Sequence, residues 1–279
     1  MKLRKLMFVL PNLFTVTSIF CGFWALTLCA GEPSPFHLYQ AALSIFFAMF
    51  FDGFDGRVAR LTKTQTQFGV ELDSLADVIS FGVAPAMLVF KWALAPLGLL
   101  GTFIAFAFAA CGALRLARFN VIAQRSHHGG ASRFFVGLPI PLAAGMIVSM
   151  VIADYVVLHG EVGPSVQVPI AVVVCVLALL MVSTVRYRTF KDVRLNRTSL
   201  AVFVAISAVG VLIATRIHPA FVLVVYFTGY LLFGMVESAF SLRSKLAARK
   251  VAGAAALLED EDEDDDGEGD GGSDEEDYL

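Results

Sequence analysis

Four aspartates lie within 26 residues of one another in a chain that is otherwise very apolar. Asp52 and Asp55 precede a connection around LTKTQTQ, and Asp73 and Asp77 follow it. Carboxylate oxygens are the ligands that hard divalent cations prefer, and such cations bring phosphate groups with them. Because ionised carboxylates near lipid are costly unless they are neutralised, we expect cations to bind here. The residues therefore predict a metal site that acts on a phosphorylated ligand.

Helical periodicity predicts that these carboxylates face one another. At 100° per residue, Asp52 and Asp55 share one face of a first helix, and Asp73 and Asp77 share one face of a second. Glu71 is predicted to point the other way. The same two faces carry three small residues, namely Gly56, Ala59 and Gly69. Two cations could share the carboxylates, and a bulky phosphorylated ligand could then lie against the helix backbones.

The elements that must hold this site are transmembrane helices. Of the 279 residues, 57% are hydrophobic and only 16% are charged, and the mean hydropathy is +0.74. These values exclude an ordinary soluble domain and favour an all-α, polytopic bundle. Since a span needs roughly 20 apolar residues, we predict about eight spans, at 8–30, 37–54, 74–95, 97–117, 136–158, 167–185, 199–215 and 219–240.

Charge is distributed very unevenly along the chain. Fourteen acidic residues and no basic ones lie between Glu259 and Asp277, so the other ten acidic residues face all 21 Lys and Arg, a net charge of +11. With the N-terminus in the cytoplasm, 19 of these 21 basic residues fall in cytoplasmic segments, as the positive-inside rule requires. We predict cytoplasmic N- and C-termini, a membrane domain over 1–250 and a disordered acidic tail over 251–279. The aspartate cluster then lies at the cytoplasmic end of its spans, at headgroup depth, which favours a lipid phosphate as the ligand.

Other interpretations of these features are weaker. An EF-hand has different ligand spacing, and an ion-coupled transporter would place its carboxylates near the midplane rather than at one interface. A scaffold that acts through its acidic tail would leave the aspartate cluster without a purpose. The four cysteines (Cys21, Cys29, Cys111 and Cys175) lie in predicted spans and show no ligand spacing, so neither disulfides nor zinc are inferred. The apolar N-terminus is interpreted as an uncleaved first span rather than a signal peptide.

The spacing of the cluster resembles a known family signature. The pattern Asp52-x-x-Asp55-Gly56-x-x-Ala59-Arg60, eight residues, Gly69, three, Asp73, three, Asp77 agrees at every fixed position with the CDP-alcohol phosphatidyltransferases. The segments LPNLFTVTSIFCGFWAL, ALRLARFN (113–120) and FFVGLPIPLAAG (134–145) are similar to those of bacterial integral-membrane members that use serine as the acceptor. The resemblance covers roughly residues 10 to 145, and the last spans carry little motif.

The resemblance implies roles for these residues. Asp52, Asp55 and Asp73 would bind Mg²⁺ or Mn²⁺, and Asp77 would be the general base and could touch a second metal ion. A further set would shape the cytidine diphosphate pocket, namely Gly56, Ala59, Arg60 and Gly69. The chain would transfer a phosphatidyl group from CDP-diacylglycerol to the hydroxyl of L-serine and release CMP. It would do so in the cytoplasmic (inner) membrane, with its active site facing the cytoplasm, as a homodimer and without a nucleic-acid partner.

Several assignments stay open at this point. Arg115, Arg118 and Arg133 are candidates for binding the serine carboxylate, since an arginine fork suits such a group, but lipid-phosphate or positive-inside roles explain them too. Asn12 and Thr15 are candidates for the nucleotide side of the site, although helix capping after Pro11 explains them as well. Within the family, glycerol 3-phosphate, an inositol phosphate or an archaeal-type lipid donor are alternative substrates.

Overall fold

The computed structural model describes residues 2–62, 64, 66–125, 134–160, 163–183, 186–188, 221–229 and 231–232. Among them are seven α-helices: α1 (Lys2–Leu28), α2 (Pro35–Thr62), α3 (Gln67–Asp77), α4 (Ala84–Val89), α5 (Leu99–Arg125), α6 (Ile140–Leu158) and α7 (Pro164–Val182). Residues 221–229 are also helical. The predicted helical class is confirmed. The tail over 251–279 lies outside the described residues.

One helical run from Gln67 to Leu97 contains several kinds of helix. A π-helical segment, Val78–Val83, follows α3 directly, and a second one, Phe90–Leu94, follows α4. A 3₁₀ turn, Ala95–Leu97, ends the run before Gly98, whose φ of 59° is readily adopted only by glycine. The first π-helical segment therefore begins immediately after Asp77.

Two short strands depart from the expected all-α architecture. β1 (Phe134–Val136) follows α5 and pairs antiparallel with β2 (Arg186–Arg188), which follows α7. Each strand has only three residues, so the pair joins the ends of two helices rather than forming a layer of its own.

Five helical stretches are long and apolar enough to cross a membrane: Pro11–Leu28, Gln67–Leu97, Leu99–Ile122, Ile140–Leu158 and Pro164–Val182. They correspond to five of the predicted spans, which supports a multi-pass membrane protein. The predicted span 37–54 lies in α2, which is not among the five and carries the polar His37, Gln40 and Asp52. The spans 199–215 and 219–240 lie outside the described residues, apart from 221–229 and 231–232, so the number eight stays a prediction.

Small residues allow α1 and α2 to pack closely. The core at this crossing includes Ala25, Cys29, Ala41, Ala42, Ile45 and Ala48, all buried. Side chains of this size let helix backbones approach one another, which is how helices associate in a bilayer that offers no hydrophobic driving force. The carboxylates that follow on α2 are therefore carried by a closely packed helix pair.

Candidate metal and phosphate site

Three of the predicted ligands converge between α2 and α3. One carboxylate oxygen each of Asp52, Asp55 and Asp73 lies within 4.8 Å of the other two. Asp77, in the last turn of α3, lies beside them, with its carboxyl group within hydrogen-bonding reach of that of Asp52. The structure thus brings all four aspartates together, three as one cluster and the fourth next to it.

The surroundings of these carboxylates fit a divalent cation. Asp55 is buried, and the other three are partly buried. Asp73 Oδ1 and Asp77 Oδ1 are inaccessible to solvent and have no hydrogen-bond partner within the described part of the chain. Buried polar atoms normally have a partner, and clustered carboxylates repel one another. A set of oxygen donors with free lone pairs is the environment that Mg²⁺ or Mn²⁺ prefers.

Asp55 is oriented by contacts from α1 and from its own helix. The Thr15 hydroxyl lies 2.8 Å from Asp55 Oδ2, and the backbone N–H of Gly56 donates to Asp55 Oδ1 at 2.5 Å. Thr15 is itself buried. The sequence marked Thr15 as a polar residue in an apolar helix, but its contact with Asp55 depends on how α1 packs against α2 and was not foreseen.

A cavity of about 510 Å³ opens beside the cluster. Asp55 and Asp73 line it, whereas Asp52 and Asp77 are not among its lining residues. All four residues predicted to shape the nucleotide pocket do line it, namely Gly56, Ala59, Arg60 and Gly69. Asn12 and Thr15 line the side contributed by α1. Two of the four aspartates and all the residues expected to hold a nucleotide therefore share one cavity.

The two glycines of the signature, Gly56 and Gly69, lack a side chain for different physical reasons. A Cβ at Gly56 would meet only Arg60 Nη2, at 3.9 Å, so the missing side chain leaves open space. A Cβ at Gly69 would lie 3.2 Å from Thr66 Oγ1 and 3.4 Å from Asn12 Oδ1, tighter than ordinary contacts. Thr66 also caps α3, because its hydroxyl oxygen accepts a hydrogen bond of 3.0 Å from Gly69 N. Gly69 thus permits a close approach of α1, while Gly56 leaves room for a ligand.

The lining residues that the sequence analysis missed include Glu71, Phe119 and Asn120. Glu71 is exposed and lines the cavity although it lies on another face of α3 than Asp73, because the cavity extends around the first turns of α3. Phe119 and Asn120 of α5 close the opposite side, and Asn120 Nδ2 donates to Ser74 Oγ at 2.9 Å. Their position depends on α5 folding back beside α3, which helical periodicity does not reveal.

The predicted arginines are placed differently from one another. Arg115 is buried and lies close enough to Asp77 for charge attraction. Arg118 donates from Nη1 to the carbonyl of Val182 and from Nη2 to that of Ser183, both at 3.1 Å. Neither is among the residues that line the cavity. Arg133 lies outside the described residues. The serine-binding role of all three stays a prediction.

Comparison with known proteins supports the same interpretation. Residues 8–179 match the family model described as CDP-alcohol phosphatidyltransferase. Proteins named CDP-diacylglycerol–serine O-phosphatidyltransferase are similar to this chain in several organisms. The Helicobacter pylori (strain 26695) protein is 36% identical over 233 residues, which cover 83% of this chain and 91% of that protein. The Bacillus subtilis protein is 36% identical over 65% of this chain and 91% of its own length. The Methanocaldococcus jannaschii protein is 33% identical over 69% of this chain and 81% of its own length.

Proposed function

Because the chain belongs to the CDP-alcohol phosphatidyltransferase family, we propose that it transfers the phosphatidyl group of CDP-diacylglycerol to the hydroxyl of L-serine. The products are phosphatidylserine and CMP. The observation that carries this proposal is the aspartate cluster, which opens into a cavity lined by the signature residues. The relatives that cover most of this chain are named for the same reaction.

Asp52, Asp55 and Asp73 are the proposed ligands of a Mg²⁺ or Mn²⁺ ion, and Asp77 is a further ligand where a second ion binds. Such an ion neutralises the diphosphate and the charge that develops on the leaving group. The buried oxygens of Asp73 and Asp77 that lack a partner in the described structure support this assignment. Thr15 holds Asp55 in the orientation it needs.

Asp77 is the proposed general base. It takes the proton of the serine hydroxyl while the oxygen forms a bond to the phosphorus that carries diacylglycerol, and the bond from that phosphorus to the CMP oxygen breaks. Asp77 is set back behind the cavity lining, beside Asp52 and within electrostatic reach of Arg115. The nearby positive charge of Arg115 offsets part of the negative charge of the cluster.

The nucleotide and the acceptor occupy different parts of the cavity in this proposal. Gly56, Ala59, Arg60 and Gly69 contact the cytidine diphosphate moiety. Glu71 is the acidic lining residue outside the signature and has no ion-pair or hydrogen-bond partner in the described part of the chain. A carboxylate here suits the ammonium group of serine and repels a phosphorylated acceptor. This charge favours serine over glycerol 3-phosphate or an inositol phosphate.

The membrane location, the domain bounds and the oligomeric state also belong to this proposal. A cytoplasmic membrane with the cavity facing the cytoplasm follows from the distribution of Lys and Arg. The catalytic domain is assigned to 1–250, and the segment 251–279 is assigned no catalytic part, since it is acidic, rich in glycine and apart from the aspartate signature. A homodimer is implied by the family resemblance.

The decisive experiment measures CMP release by purified protein in mixed micelles that contain CDP-diacylglycerol and Mn²⁺ or Mg²⁺. We expect release with L-serine, none with glycerol 3-phosphate, none without an acceptor, and loss of release on chelation of the metal. Asp77→Asn should reduce turnover at least a hundredfold, in the range of general acid–base contributions.

One control variant and two contradicting outcomes make the result interpretable. Glu32→Gln removes an exposed acidic charge outside the cavity and should leave the rate unchanged. CMP release with glycerol 3-phosphate instead of serine would keep the family and overturn the acceptor. No release from folded protein with any acceptor would overturn the transferase assignment, and substrate flux into sealed vesicles would then support a transporter.

A further inference from the structure

A buried polar contact joins three elements close to the aspartate cluster. Ser80, in the π-helical segment Val78–Val83, donates from Oγ to the backbone carbonyl of Ser18 on α1 at 2.9 Å. Ser18 Oγ lies 3.3 Å from the carbonyl of Ala48 on α2 and 3.5 Å from Ser80 Oγ. Both serines are buried, with exposed fractions of 1% for Ser18 and 0% for Ser80. We call Ser18, Ala48 and Ser80 the serine bridge.

Each member of the serine bridge lies about one helical turn from a residue of the site. Ser80 follows Asp77 by three residues, and Ala48 precedes Asp52 by four. Ser18 follows Thr15 by three, and Thr15 contacts Asp55. Residues three or four apart lie on the same face of a helix. The bridge therefore lies about one turn from Asp52, Asp77 and Thr15 on their respective elements.

The geometry around Ser80 shows that this contact is closely fitted. A Cβ at Gly22 would lie 2.8 Å from Ser80 Cα and 2.7 Å from Ser80 Oγ, so α1 approaches the π-helical segment only because residue 22 is glycine. The segment itself begins directly after Asp77. A π-helical turn contains more residues than an α-helical one, so it changes the direction in which the neighbouring side chains point. Ser80 is the residue of this segment whose side chain is tied to α1.

We propose that Ser18 and Ser80 are positioning residues for the metal site. By linking α1, α2 and the π-helical segment, they hold Asp77 beside Asp52 and hold Thr15 against Asp55. A hydrogen bond buried in an apolar bundle is directional, unlike apolar packing, so it fixes the register of three helices against one another. This inference rests on the proposed function only in assigning a metal to the aspartates.

The test compares Ser80→Ala with Ser149→Ala as a matched control. Ser149 is also a fully buried serine, but among the described residues it donates only within α6, to the Met146 carbonyl at 2.8 Å. Mn²⁺ binding by the purified protein is measured by electron paramagnetic resonance without substrates, alongside the thermal midpoint and the Mn²⁺ concentration that gives half-maximal CMP release.

We expect Ser80→Ala to weaken Mn²⁺ binding roughly tenfold, the lower end of the effect of residues that orient metal ligands. The half-maximal Mn²⁺ concentration should rise by the same factor, and Ser149→Ala should change neither. Ser18→Ala removes the contacts of Ser18 Oγ with Ala48 and Ser80 and keeps the Ser18 carbonyl that accepts from Ser80. It breaks the link between α1 and α2, should shift Mn²⁺ binding in the same direction, and decides the question if Ser80→Ala does not fold. Unchanged Mn²⁺ binding in a folded bridge variant would overturn the proposal. Wild-type protein that binds Mn²⁺ but releases no CMP would instead overturn the proposed function and leave this comparison valid.

Discussion

Gly56 is the residue at which the fold and the proposed ligand most clearly favour different side chains. A side chain at this position would meet no protein atom closer than 3.9 Å. Glycine inside a helix costs about 1 kcal/mol relative to alanine, so the fold alone would favour alanine. The cavity beside it gives the physical reason for the missing side chain, since a methyl group would project into the space proposed for the nucleotide.

Gly56→Ala should therefore separate stability from activity. We expect an unchanged or higher thermal midpoint and a kcat/KM for CDP-diacylglycerol at least tenfold lower, because overpacking of a fitted surface costs about 1–3 kcal/mol. Gly53→Ala is the matched control, since a Cβ at Gly53 meets no described neighbour within 4 Å and the residue does not line the cavity. Equal kinetics for the two variants would show that the nucleotide does not lie against Gly56.

A substitution of Glu71 tests how the acceptor, L-serine, is recognised. Glu71→Gln keeps the size of the side chain and removes its charge, so the KM for L-serine should rise roughly threefold to fivefold, as expected for an ion pair at an exposed site worth about 1 kcal/mol. The KM for CDP-diacylglycerol should not change. Steady-state kinetics with each substrate varied in turn make the measurement. A change confined to CDP-diacylglycerol would place Glu71 on the nucleotide side of the cavity.

At the scale of elements, the side chain of Arg118 caps the C-terminal end of α7. Both terminal nitrogens of the guanidinium donate to the last carbonyls of α7, at Val182 and Ser183. A cation at a helix C-terminus satisfies carbonyls that have no intrahelical partner and interacts favourably with the helix dipole. Arg118 thereby ties α5 to α7 close to the residues Phe119 and Asn120 that line the cavity.

Arg118→Lys should reveal a structural role for this residue. Lysine keeps the charge but loses the fork, so we expect unfolding to become about 1–2 kcal/mol easier, with the KM for serine unchanged. Arg57→Lys is the control, because Arg57 is exposed and does not line the cavity. A rise in the KM for serine without a loss of stability would instead support the serine-carboxylate role considered for Arg118.

The same elements show what the sequence could and could not reveal. The convergence of Asp52, Asp55 and Asp73 follows from helical periodicity, and the structure has it. That Glu71 lines the cavity was not predicted, because periodicity describes the face of one helix and not the extent of a cavity. The contacts of Thr15 with Asp55 and of Arg118 with α7 join residues 40 or more positions apart, so no local pattern carries them. The π-helical segments add residues to a turn without a distinctive composition, so periodicity does not signal them either.

At the scale of the whole molecule, the question is on which side of the membrane the cavity opens. The cavity is lined by residues at the end of α2 and the start of α3, a connection that the basic residues assign to the cytoplasm. The helical run that begins at Gln67 ends at Leu97, and its 31 residues are enough to reach the other face. Leu61, near the end of α2, and Leu99, at the start of α5, flank this run on its two sides, and both are well exposed, at 83% and 72%.

Single cysteines at these two positions should report the orientation of the whole chain. In a variant whose four native cysteines are replaced by alanine, we expect Leu61→Cys to react with a membrane-impermeant thiol reagent in inside-out vesicles and not in right-side-out vesicles. Leu99→Cys should show the reverse, because the two residues differ in their membrane side and not in residue type or exposure. If both variants react from the same side, the run from Gln67 to Leu97 does not cross the membrane. If the pattern is inverted, the cavity opens away from the cytoplasm, where the CTP-derived nucleotide is made, and the positive-inside assignment is wrong.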